Sequence, residues 1–188
     1  PDIDPVFVPI NLTVTGENSS PVLPFIDISS SDDGIVELPA SVDTLFLAVA
    51  SRYTHIMAPD GGVIPIIAQD DFSSEQILHV RNVLNFFLKN IPDSQWGDDK
   101  ASVANAMSQS NAILFLLNDE AEYNNQDVLN LMASGVSGQD LLADEVHPVG
   151  SSDYMLSSSR DATFEEVLHF VHGFGIQLSL PDMQDSII

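Results

Sequence analysis

The stretch Asn111–Asn118 reads NAILFLLN, and its unbroken apolar run is the tightest constraint the sequence places on a fold. A run of six residues from Ala112 to Leu117 with no polar alternation has no face to show to water, so it predicts a strand that is buried in full. Segments with other periodicities surround it. Ser73 or Ser74 would cap a long helix through SEQILHVRNVLNFFLKN, where Ile77, Val80, Leu84 and Phe87 recur at helical spacing and Ile91-Pro92 ends the pattern. KASVANAMSQS predicts a second helix, and NNQDVLNLMASG a third with Gly135 near its end. YTHIMAPDGGVIPIIAQ predicts a hairpin turning at Pro59-Asp60-Gly61-Gly62, and TLFLAVAS (Thr44–Ser51) a further buried strand. Residues 135–160 read as loop-rich, and a last helix begins near Thr163. No internal repeat is visible. The order of strands, then helices mixed with a strand, predicts an α+β fold: a small mixed sheet packed with three to four helices in one domain over residues 36–188.

Residues 1–35 predict an extended arm ahead of that domain. In PVFVPINLTVTG the side chains of Val6, Val8, Ile10, Leu12 and Val14 would share one face, a period-two pattern, while Pro5 and Pro9 restrict it to a sheet edge. Such an arm folds back on its own domain or adds a strand to a neighbouring chain, which makes residues 1–20 a candidate for self-association.

Composition narrows the partners. Twenty-eight acidic residues against five basic ones give a net charge of −23. The basic residues Arg52, Arg81, Lys89, Lys100 and Arg160 are scattered, so neither nucleic acid nor an anionic membrane surface is an expected partner; protein or peptide is. No apolar run reaches the ~18 residues of a membrane span. Without cysteine there is no disulfide framework, no thiolate zinc site and no thiol nucleophile. The absence of an initiator Met, the acidity and two sequons, at Asn11 and Asn18, predict a secreted, extracellular glycoprotein. Asp-rich loops suit calcium, and Asp93, Asp98 and Asp99 in PDSQWGDD are candidate ligands, although the spacing is not that of an EF-hand.

The segment TFEEVLHFVHGFG (Thr163–Gly175) concentrates the remaining chemistry. At ~100° per residue, Phe164, Val167, Leu168, Val171 and Phe174 would form a core face. Glu165, His169 and His172 fall on a second face, and an i, i+4 pair with metal-binding heads can grip one ion. The structural reading of the same residues is complete as well. Thr163 and Glu166 fit a capping box, Glu165 suits the helix dipole and pairs with His169, and Gly173 or Gly175 ends the helix.

With VIPIIAQDDFSSEQILHVRNVLNFFL, VANAMSQSNAILFLLN and RDATFEEVLHFVHGFGI in this order, the chain from Leu45 to Ile176 resembles a group of secreted zincin-like proteins. The resemblance implies a zinc site with Glu165 and His169 as ligands and Glu166 as general base of a metallopeptidase. Glu165 stands where such helices carry a histidine, so the site would be a degenerate one. A third ligand would be His172, about 10.5 Å along the axis from Glu165, or more readily His147 or Glu145 in ADEVHPVG. The competing expectation is a non-enzymatic structural subunit that assembles through its N-terminal strand and holds calcium on its acidic surface. His55 and His79 read as packed or surface residues. No G-x-S-x-G elbow and no phosphate loop is present.

Overall fold

The structure, a computed structural model, describes residues 20–95, 97–152, 154, 160–180 and 182. Asn11, Asn18 and most of the expected pairing arm (residues 1–19) lie outside them.

Five strands form one mixed sheet in the order β1 (Val36–Glu37), β2 (Arg52–Met57), β3 (Val63–Ala68), β4 (Ile113–Leu117), β5 (Gly138–Leu142). The first three are antiparallel neighbours, and β3, β4 and β5 run parallel. The β2–β3 hairpin turns where the sequence placed it, with Gly61 at φ +88. The apolar run is β4, and every one of its residues is buried. Its side chains alternate between two cores. Leu114 and Leu116 join Ile64, Ile66 and Leu141 on one face. Ile113, Phe115 and Leu117 join Tyr53, Ile67 and Leu142 on the other.

Five helices cover these two faces, giving the α+β architecture. α2 (Ser74–Leu88), α3 (Ala101–Gln109) and α5 (Thr163–Val171) pack on the first face, and α1 (Thr44–Val49) and α4 (Gln126–Ala133) on the second. The α2 start is the capping box written in its sequence: Ser73 Oγ accepts from Gln76 N–H, and Gln76 Oε1 accepts from Ser73 N–H. The β3–β4 crossover carries α2 and α3 over one face, and the β4–β5 crossover carries α4 over the other. Both step in the same direction along the sheet, so they have opposite hands, and one departs from the right-handed rule.

Three local expectations are corrected. Thr44–Val49 is a helix and not a strand: Asp43 Oδ1 caps Leu45 N–H at 2.9 Å, and Phe46 and Val49, three apart, enter the core. The loop-rich region contains β5, where Gly138 is needed because a side chain there would strike Ile113 O and the Phe115 ring. The last helix does not end at Gly173 or Gly175. It continues through a π turn (His172–Ile176) into a short turn, Gln177–Ser179.

Residues 22–35 lie against the body, with Leu23 and Ile26 in the second core and Phe25 5.6 Å from the His55 ring. His55 is buried, and its Nδ1 has no partner. Burial, then the Arg81 guanidinium, hold its imidazole below the ordinary 6.5 against the pull of Asp27.

Two outcomes follow from these contacts. Gly175 lies so close to α3 that a Cβ would meet Val103 Cγ1 at 2.7 Å, so Gly175→Ala should lower stability by about 1–3 kcal/mol in chemical denaturation. The unfolded chain takes up a proton at His55 near 6.5 that the folded chain resists, so this residue makes stability fall as pH drops through 6.5. His55→Leu should flatten the slope of melting temperature between about pH 7.5 and 5.5.

Candidate functional site

The start of α5 is built around Asp161. Its Oδ1 accepts from Thr163 N–H at 3.1 Å, from Thr163 Oγ1 at 2.6 Å and from His147 N–H at 3.5 Å. Its Oδ2 lies 3.0 Å from His79 Nε2 on α2. The capping box that the sequence suggested is absent: the N-cap position is Ala162, which has no side-chain group to cap with, Asp161 just before it takes the first helical N–H, and Thr163 is the first helical residue, with a fully buried side chain. The anchor at Asp161 fixes the rotation of α5. The core takes Thr163, Val167, Phe170 and Val171, while Phe164 and Leu168, expected inside, are 50% and 44% exposed. Phe164 instead packs edge-on against Phe86 and Phe87 of α2, at 6.2 and 5.8 Å.

Freed from capping, Glu166 has other partners. Its Oε2 accepts from Gln139 Nε2 of β5 at 2.8 Å and lies 3.3 Å from His169 Nδ1. Glu165 pairs with Arg160 at 2.6 Å and not with His169. The outer face of α5 therefore carries an imidazole with 57% of its side chain exposed, seated on a carboxylate with 22% exposed.

The other predicted ligands are elsewhere. His147 is buried, with Nε2 unpartnered, in the turn that Gln76 fastens to α2 through the carbonyls of Ala143 and Val146. Glu145 Oε2 accepts from Leu142 N–H and closes its own turn. His172 is half-buried at the start of the π turn. Asp98 Oδ1 accepts from Asp93 N–H, Asp99 Oδ1 from Ala101 N–H, and the Lys100 ammonium is fixed at 2.8 Å to Phe87 O beside them. Among the described residues no three His, Asp or Glu side chains converge on a metal-sized point. Nor is any helix among them long and apolar enough to cross a membrane.

Sequence reasoning missed Asp161 and Gln139. The pattern Asp-x-Thr ahead of an apolar run was a signal for the first, because an aspartate side chain readily accepts from the backbone N–H two residues on. Nothing local marks Gln139, which reaches Glu166 across 27 residues of chain. No family model matches the chain, and no curated protein and no solved structure gives a match.

Burial alone would raise the Asp161 carboxyl, but hydrogen bonds from Thr163 Oγ1, His79 and Thr163 N–H outweigh it and hold the group below its ordinary 3.8. A depressed carboxyl contributes stability above the unfolded value and loses it as pH falls through the folded one. Asp161→Asn should therefore be less stable than the parent by about 1–3 kcal/mol at neutral pH. The gap should close on acidification below 3.8, as read in parallel denaturation curves.

Proposed function

We propose that the outer face of α5 holds a divalent metal, zinc by its donor chemistry, through Glu165 and His169, and that the chain is part of a secreted zincin-like domain. The observation that carries this reading is the Glu166–His169 contact. A carboxylate only accepts, so the proton of the neutral ring sits on Nδ1, and Nε2 keeps its lone pair on the exposed side. Metal-binding imidazoles are oriented by a carboxylate in this way. Gln139 in turn fixes Glu166, so the ring is held from two layers of contact. Glu166 acts here as a positioning residue.

Glu165 lies one helical turn before His169, within reach of an ion held there. Its bond to Arg160 is a surface ion pair, with side chains 45% and 81% exposed, and such pairs are worth about 0.2–1 kcal/mol. A metal can displace it. Imidazole nitrogen and carboxylate oxygen are both zinc donors, and water would fill the remaining positions. A bound zinc ion supplies Lewis-acid polarisation and an acidified water. Two ligands do not make a peptidase site, and no hydrolytic step is assigned to these residues. The calcium part of the alternative has less support: the Asp98 and Asp99 carboxylates accept the backbone N–H groups of Asp93 and Ala101, beside a fixed ammonium.

Zinc titration by calorimetry tests the reading. Glu165→Ala or His169→Ala should each weaken binding by about tenfold or more, and Glu166→Gln by about tenfold through loss of orientation. Arg160→Gln should tighten it by about two- to fivefold. Undiminished binding in the Glu165→Ala/His169→Ala double variant would overturn it.

A further inference from the structure

The opposite hands of the two crossovers have a geometric consequence at the carboxyl ends of the parallel strands. The chain leaving β3 turns to the α2 face, and the chain leaving β4 turns to the α4 face. Their loops diverge, and in open α/β sheets a crevice opens where neighbouring connections part in this way. Such a crevice is present here. It measures about 220 Å³ and is lined by the last turn of α1 (Leu47–Ala50), Ser51, Gln69 and Asp70 after β3, and Asn118 after β4.

Its polar wall is braced across the two strand ends. Gln69, only 9% exposed, accepts from Asn118 N–H at 2.6 Å and donates to Glu122 at 2.9 Å, and its own N–H goes to Leu116 O. Asn118 Oδ1 accepts from Asp71 N–H at 3.1 Å, and Ser51 Oγ donates to Asp70. A wall held by such bonds is set before any ligand arrives.

The chemistry offered is acceptor-rich and negative. Asp70 stands on the wall, Asp71 and Asp119 follow the lining residues Asp70 and Asn118, and Glu120 and Glu122 lie in the 3-10 turn after β4. The last carbonyls of α1 have no following helical turn to take them up. Arg52, next to Ser51, has its guanidinium committed to Phe72 O and Ser74 Oγ. An anion is disfavoured on charge alone. A lone metal ion fits poorly, because among the described residues Asp70 is the one acidic side chain on the lining, and neither histidine nor a second carboxylate stands beside it there.

We propose that this switch-point crevice binds a small hydroxylated amine, its ammonium against Asp70 and its hydroxyls against Asn118, Ser51 and the α1 carbonyls. The site is independent of the metal reading, since α1 lies on the opposite face of the sheet from α5.

Glucosamine is the probe, with glucose as the uncharged control and calcium as the inorganic cation, followed by amide chemical shifts on the full chain. The expected result is saturable shifts confined to Leu47–Ser51, Gln69–Asp71 and Asn118 with glucosamine and none with glucose. Asp70→Asn should weaken binding by about tenfold. Ala48→Phe, a change at an exposed position on the rim, should abolish it while leaving the rest of the spectrum in place. Four outcomes would each overturn the proposal: no saturable shift, equal shifts with glucose, the same shifts from calcium at lower concentration than glucosamine, or shifts that survive both variants.

Discussion

The burial of β4 on both faces is the constraint on which the rest of the structure depends. A strand without a polar face must be covered twice, and this chain does so with α2, α3 and α5 on one side and α1 and α4 on the other. Because α2 and α3 belong to the crossover before β4 and α4 to the one after it, the connections on the two sides of β4 leave in opposite directions. The same requirement that fills the core thus opens the crevice at the strand ends, with Gln69 closing the polar seam that the divergence exposes.

A second dependence runs through Asp161. One carboxylate joins the start of α5 to α2 and to the turn carrying His147. By burying Thr163 it sets the rotation of the helix, and the rotation decides which side chains face solvent. Glu165 and His169 are outward, and Glu166 is turned toward β5 and Gln139, as a consequence of how the helix is anchored. Phe164 and Leu168 are brought to the surface by the same rotation, where Phe164 finds partial cover against Phe86 and Phe87 and Leu168 lines an apolar pocket with Phe87 and Leu180.

Much of the fold was legible in the sequence where one signal dominates. The unbroken run of β4 and the Pro-Asp-Gly-Gly turn are local signals that were read correctly, and of the two serines offered as the α2 cap the structure uses Ser73, with Gln76 completing a box that the reading did not name. The segment Thr44–Val49 was misread because a short apolar run fits strand and helix alike, and the deciding contact is one cap at Asp43. β5 was hidden because Gly138, Gln139 and Asp140 look like loop, and only pairing with β4 makes them a strand. At the site, Glu165, Glu166 and His169 were visible as a helical cluster. Their partners were not: His79 and Asp161 are separated by 82 residues, and Glu166 and Gln139 by 27, distances over which no periodicity speaks. The π turn was equally silent: it contains Gly175, which lies close against α3, a contact that no local pattern marks.

The central claim is that Glu166 orients His169 so that Nε2 faces outward with a free lone pair. The most direct measurement is the nitrogen spectrum of the His169 ring in imidazole-labelled protein, taken at about pH 8.5 before and after zinc. The account expects the proton on Nδ1, a bare Nε2, and a change at Nε2 when zinc is added. A proton on Nε2, or a ring that zinc leaves untouched, would contradict it.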